Sequence, residues 1–231
     1  MKYIKKSKEP ASLRAFIEKE QRANIHPSYS NLDKPVIEDL NKALLKEQGY
    51  LCCYCMEEIS LNSLRREHFL PQSRFKEEEL NYSNLFAACN FSDGLPPEQQ
   101  HCDIKKAHLL IPKYISDPKC SEYFRYNRSG EILPYGSLKR YKDYCDNYNK
   151  LNAEQKTILT TIEVLNLNAE RLSRKRQDFI FALIQSINGL GKDQIEQKME
   201  DYKTKDSHGK LKRFCGVAVY ILEDYLKRKT G

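Results

Sequence analysis

No stretch of this 231-residue chain approaches the run of about 18 consecutive apolar residues that a membrane-crossing helix needs. The opening Met1-Lys2-Tyr3-Ile4-Lys5-Lys6 has positive charge but no apolar segment behind it, so no secretory leader is expected. Internal repeats and low-complexity tracts are also missing. These absences leave a soluble globular protein, expected in the cytoplasm and not at a membrane. Its 40% apolar content suffices for one sizeable domain or two small ones.

Net charge is missing from the first part of the chain. Residues 1–106 carry 16 basic and 16 acidic side chains, so the whole excess of +7 lies in residues 107–231, where 23 basic face 16 acidic. A basic half beside a neutral half is suited to gripping a polyanion, although a solvated helical surface gives the same excess. Arg171, Arg174, Lys175 and Arg176 are open to both readings: phosphate contacts, or the wet face of an amphipathic helix.

Eight cysteines in a reducing compartment are expected as metal ligands or buried thiols, not as a disulfide framework. Cys52-x-x-Cys55 is a tight pair of the kind a zinc knuckle uses, and Cys89 and Cys102 form a looser second pair. Four thiolates on one zinc ion staple a motif that lacks a large core, because metal binding free energy becomes folding free energy. Cys53 competes poorly with Cys52, since only Tyr54 separates it from Cys55. Cys120, Cys145 and Cys215 read as buried or incidental.

The first fifty residues read as helical. Leu13, Phe16 and Ile17 lie on one stripe and Val36, Leu40, Leu44 and Leu45 on a second, with a loop at Pro27–Asn31 between them. Residues 64–69 suit a short strand ending before Pro71, residues 81–85 a loop entering a second strand, and residues 102–110 one helix. A Tyr-rich connector with turns at Asp117-Pro118, Ser129-Gly130 and Pro134-Tyr135-Gly136 follows. From Asn152 the chain is helical again, with Asn168 as an N-cap, an apolar stripe of Leu172, Phe179, Leu183 and Ile187, and a stop at Gly189. A last helix carries Phe214, Val217, Ala218, Ile221 and Tyr225.

Between the two cysteine pairs lie residues suited to phosphodiester hydrolysis, which needs an activated water and a cation to meet developing charge. His68 titrates near neutrality and can take the proton from water. Glu67 is a hard oxygen ligand for Mg²⁺ or Mn²⁺, and Asp103 can supply a second oxygen. Neighbours on a strand point to opposite faces, so Glu67 and His68 converge only where the strand ends or distorts. Asn84 can pin the intervening loop by side-chain to backbone hydrogen bonds and hold His68 in place.

Together Cys52-x-x-Cys55, Glu67-His68-Phe69-x-Pro71, Asn84-Leu85, Cys89 and Cys102-Asp103-x-x-Lys106 resemble the HNH endonucleases of ββα-metal type. The resemblance implies His68 as general base, Glu67 and Asp103 as ligands of a catalytic Mg²⁺ or Mn²⁺, Asn84 as the loop-ordering residue, and Cys52, Cys55, Cys89 and Cys102 as ligands of a structural Zn²⁺. Glu stands where Asp is commoner and Asp103 where His or Asn is usual; His108 is the fallback ligand. More loosely, the opening Met1-Lys2-Tyr3-Ile4, residues 47–55, His101-Cys102-Asp103 and residues 160–168 look like the PtuB-type nuclease subunits of Septu and retron-associated antiphage systems. That likeness implies a nucleic-acid substrate (DNA, or RNA such as tRNA), an ATPase partner of PtuA type, and in a retron a reverse transcriptase with its msDNA.

The fold expected is α+β, mainly α with a small central zinc-stapled ββα-metal motif. Residues 1–50 form a helical segment, 51–111 the nuclease motif, and 112–231 the Tyr-rich connector and basic helical region. Two rival readings stand. A non-catalytic zinc module that binds nucleic acid or a partner needs the cysteines but not Glu67 or His68. A thiol oxidoreductase built on Cys52-x-x-Cys55 wants a strand before it, against the helical lead-in here.

Overall fold

The computed structural model describes residues 1–230, with side chains through Arg228. Helices α1 (Ala11–Arg22) and α2 (Lys34–Gln48) form where the apolar stripes predict them, burying Leu13 and Phe16 of the first and Val36, Leu40, Leu44 and Leu45 of the second. The Asp33 side chain accepts a hydrogen bond from the Val36 amide at 3.0 Å, Pro35 occupies the first turn, and Gly49 closes α2 at φ +67°. The chain then doubles back through the first cysteine pair. The Cys52 amide donates to the Glu57 carbonyl, the Met56 amide donates to the Cys52 carbonyl, and Leu51 bridges Glu58.

Strands β1 (Leu64–His68) and β2 (Leu85–Cys89) pair antiparallel, with Leu64 opposite Cys89 and His68 opposite Leu85. β2 is buried along its whole length. The helix expected over 102–110 is only one turn, α3 (Asp103–Lys106), because Ala107 takes φ +49° and ψ −118°, which no helix continues.

Residues 112–151 hold more structure than a connector. Helix α4 (Cys120–Tyr123) leads into a hairpin of β3 (Phe124–Tyr126) and β4 (Ile132–Pro134), with the Ser129-Gly130 turn between them, and α5 (Tyr141–Asp146) follows. Strands of three residues are too short to show alternation. Helix α6 (Ala153–Val164) starts with a reciprocal cap between Asn152 and Gln155. Helix α7 (Glu170–Ser186) is capped at Ala169, one residue later than expected, because Asn168 is used elsewhere: its side chain clasps the Ile132 amide (2.8 Å) and carbonyl (2.9 Å) of β4. α7 also ends before Gly189. Helix α8 (Lys192–Lys203) was not foreseen, since Ile195 is its one buried residue. Helix α9 (Cys215–Thr230) completes the described chain. Among the described residues no helix is long and apolar enough to cross a membrane.

One continuous set of buried apolar side chains runs from Met1 to Leu222 and includes the cysteine loop. The segment before α9 closes that loop directly: the Leu211 amide donates to the Gly49 carbonyl at 3.0 Å and the Phe214 amide to the Met56 carbonyl at 2.9 Å.

Arg176 of α7 is 2% exposed and braces the second hairpin. Its Nε donates to the Gly130 carbonyl and its Nη2 to the Leu167 carbonyl, each at 2.6 Å, so the guanidinium is spent on carbonyls. Burial brings its pKa down to about 10. Gly130 sits at φ +77°, and a Cβ there would lie 2.0 Å from the Ser173 carbonyl oxygen. Gly130→Ala is therefore expected to cost about 3 kcal/mol, combining the left-handed backbone with overpacking. Calorimetry should show a melting point lowered by roughly 6–12 °C; an unshifted melting point would mean that the turn opens freely away from α7.

Candidate metal centre and active site

The Sγ atoms of Cys52, Cys55, Cys89 and Cys102 all lie within 4.8 Å of one another, and all four residues are buried. Cys52 is 3.8 Å from Cys102, and Cys55 is 3.8 Å from Cys89. A tetrahedron with zinc–sulfur arms of about 2.3 Å has edges of about 3.8 Å, so the cluster fits zinc in spacing as well as in donor type. Two polar contacts support the sulfurs: the Cys89 amide donates to Cys52 Sγ at 3.3 Å, and His101 Nδ1 lies 3.2 Å from Cys102 Sγ. Burial pushes the Cys102 thiol up, whereas hydrogen bonds from Cys102, Cys53 and the other cluster thiols hold Cys52 well below the usual thiol range in spite of burial. Cys53 is buried outside the cluster, and its amide donates to Ala87 of β2.

β1 stays regular to its last residue, so alternation separates Glu67 from His68. Glu67 turns inward and is 1% exposed. Its Oε1 accepts from the Tyr54 hydroxyl at 2.7 Å and from Lys106 Nζ at 2.8 Å. Asp103 stands at the start of α3; burial first, then a side-chain hydrogen bond with Glu67 and the Glu67 charge, push its carboxyl up to about 9. Arg65 Nε stands 3.4 Å from the Asp103 carboxylate. Two carboxylates converging in a desolvated place are a donor set that fits a hard divalent cation. His108 lies exposed beyond the end of α3 and is not gathered into this group.

His68 is half-buried and lines a polar cleft of about 360 Å³ with Tyr29, Arg65, Arg66, Gln72 and Asp93. Its Nε2 lies 3.0 Å from the Glu79 carbonyl oxygen. A carbonyl only accepts, so Nε2 carries the proton and Nδ1 of the neutral ring keeps its lone pair. Burial holds the His68 pKa below its ordinary 6.5. Tyr29 meets the imidazole in a T-shaped contact, with centroids 4.5 Å apart.

Asn84 ties the loop between the strands. Its Oδ1 accepts from the Leu70 amide at 2.7 Å, and its Nδ2 donates to the carbonyls of Leu70 (3.1 Å) and Glu78 (3.2 Å). Glu78 precedes the residue whose carbonyl holds His68, so the amide sets the position of that acceptor. The Glu79 carboxylate is itself anchored by Lys76 at 2.6 Å and Gln72 at 3.2 Å. The basic run on α7 takes another course: Arg176 is buried and Lys175 pairs with Glu57 at 3.0 Å.

Sequence reasoning missed Tyr29, Arg66 and Glu79 and gave Lys106 no role. Arg66 shares a strand face with His68, and Lys106 lies one helical turn past Asp103, so both left a trace in the spacing. Tyr29 reaches His68 from 39 positions away, and Glu79 acts through its main chain, which no side-chain pattern reveals.

No protein-family model matches the chain. It is 28% identical over 218 residues to "Retron Ec83 putative HNH endonuclease" of Escherichia coli, covering 80% of each protein. It is 30% identical over 140 residues to "Retron Vc95 putative HNH endonuclease" of Vibrio cholerae serotype O1 biovar El Tor, covering 59% of this chain and 61% of that protein, under two thirds of its length. These names support an HNH endonuclease class and a retron setting.

Proposed function

We propose that this protein is a divalent-metal-dependent HNH endonuclease of ββα-metal type, centred on residues 51–111 between the N-terminal helical segment and the basic C-terminal region. The observation that carries the reading is His68: one ring nitrogen is committed to the Glu79 carbonyl and the other is left as a neutral base, in a cleft bordered by two arginines. Asn84 is the positioning residue for that arrangement. Glu67 and Asp103 hold the Mg²⁺ or Mn²⁺, and the ion, when bound, supplies positive charge to the phosphate and the departing oxygen. Zinc on Cys52, Cys55, Cys89 and Cys102 is structural.

His68 Nδ1 takes a proton from the attacking water, while Glu79 keeps the ring from turning. Lys106, fully enclosed against Glu67, offsets the charge of the carboxylate pair. DNA is the favoured substrate, with tRNA the alternative. The setting we infer is a cytoplasmic antiphage system of retron or Septu type, in which the chain acts with a PtuA-type ATPase and, in a retron, with the reverse transcriptase and its msDNA. One observation favours the non-catalytic zinc module: Glu67 is enclosed and already neutralised.

The test is cleavage of plasmid DNA and total tRNA by the purified chain, with added Mg²⁺ or Mn²⁺ against no added divalent ion, alone and with the ATPase. Ion-dependent cutting is expected and names the substrate. Intact nucleic acid in every arm would transfer the assignment to the binding module.

A further inference from the structure

Two adjacent arginines border the cleft, and their surroundings differ. Arg65 is neutralised: its Nη2 lies 2.5 Å from Asp93 and its Nε 3.4 Å from Asp103. Arg66 has only uncharged partners. Its Nε donates to the Tyr29 hydroxyl, and its Nη1 donates to Asn41 Oδ1 at 3.2 Å. Among the described residues it forms no ion pair, and Nη2 meets no protein acceptor.

A guanidinium is always charged, and its donors lie in a fixed fork. Holding it by neutral acceptors on two sides orients the fork without cancelling the charge. The holders come from outside the strand pair: Tyr29 from the turn after α1 and Asn41 from α2. Alternation puts Arg66 on the same face of β1 as His68, about 7 Å along the strand, a separation comparable with that of successive phosphates on a nucleic-acid strand. Tyr29 touches both, with its hydroxyl on Arg66 and its ring against His68.

We propose that Arg66 is a substrate-binding residue that takes a backbone phosphate of the nucleic acid beside His68, with Tyr29 and Asn41 as its positioning residues. The proposal rests on the nucleic-acid reading of this cleft and adds the group that grips the strand. It also gives the N-terminal helical segment a part in the site.

The test is fluorescence anisotropy without added Mg²⁺ or Mn²⁺ and without chelator, so that the structural zinc stays in place, using a short labelled duplex and the corresponding single strand across a series of salt concentrations. Arg66→Gln is expected to bind roughly tenfold more weakly or worse. The slope of log K against log salt should shrink by about 0.9 on the duplex or about 0.7 on the single strand, the signature of one lost phosphate contact. Arg66→Lys keeps the charge and therefore the slope, while losing part of the affinity with the fork; it also guards against a folding defect in the glutamine variant. An Arg66→Gln slope equal to that of the unaltered chain overturns the proposal, as does an unaltered chain that binds neither probe. Salt-dependent binding with the expected loss but without cleavage in any metal leaves Arg66 standing and removes the nuclease assignment instead.

Discussion

Replacing His68 with alanine is expected to lower the proposed metal-dependent cleavage by about 10²- to 10⁴-fold, the range contributed by a positioned general base, and to leave the chain folded with its full zinc. The size of the loss follows from the ring's surroundings. The Glu79 carbonyl decides which nitrogen is protonated, and the edge contact with Tyr29 restricts the ring's rotation. Burial holds the pKa below 6.5, so the ring is already neutral at pH 7 and the acid limb of the rate profile falls below pH 6.5. Removing the imidazole removes that limb with it. Undiminished cleavage in the variant, measured on whichever nucleic acid the unaltered chain cuts, would strike His68 from the mechanism.

Cys89→Ser, or exhaustive chelation of the unaltered chain, is expected to unfold the central segment. Structural zinc in small motifs contributes about 10–16 kcal/mol of binding free energy, comparable with or larger than the whole stability of a typical domain, about 5–15 kcal/mol. The loss has nowhere to be absorbed, because the four thiols stand in the dry and cannot all ionise without the ion. Metal analysis and circular dichroism should therefore report zinc and structure falling together. Cys53→Ser is the matched control. It is the neighbouring buried thiol outside the cluster, and its loss costs about 1–3 kcal/mol of burial with zinc retained. Full zinc in Cys89→Ser would redraw the ligand set.

The strand ending at His68, helix α2 and the four cysteines were legible because each writes a local rule into the sequence: a proline stop, an apolar stripe at helical spacing, a two-residue knuckle. What failed was set by contacts distant in sequence. Asn168 looked like an N-cap, yet the amide and carbonyl of Ile132 compete for its side chain and win. The helix through 102–110 had a plausible composition, but Ala107 leaves the helical region after one turn. The basic run on α7 was open to two readings, phosphate contacts or the wet face of the helix, and spacing could not show that carbonyls of the second hairpin hold Arg176 and the carboxylate of Glu57 holds Lys175. At the site itself, residue types were readable and directions were not. Glu67 and His68 stand side by side in the chain and face opposite ways, so the carboxylates meet under the strand while the imidazole opens into the cleft.

The bonds that close the cysteine loop also impose an order on its assembly. A ribosome delivers the loop long before residues 211–214, whose amides cap the Gly49 and Met56 carbonyls, and before Gly216, which lies against the Met56 side chain. The Cys102 amide likewise waits for the carbonyl of Leu165. A nascent chain thus carries its four thiols and its histidine through the whole stretch from Cys102 to Leu211 with no finished frame to hold them. Residues 211–216 close the frame around the ligands, and a copy that stops short of residue 211 leaves two carbonyls without their donors.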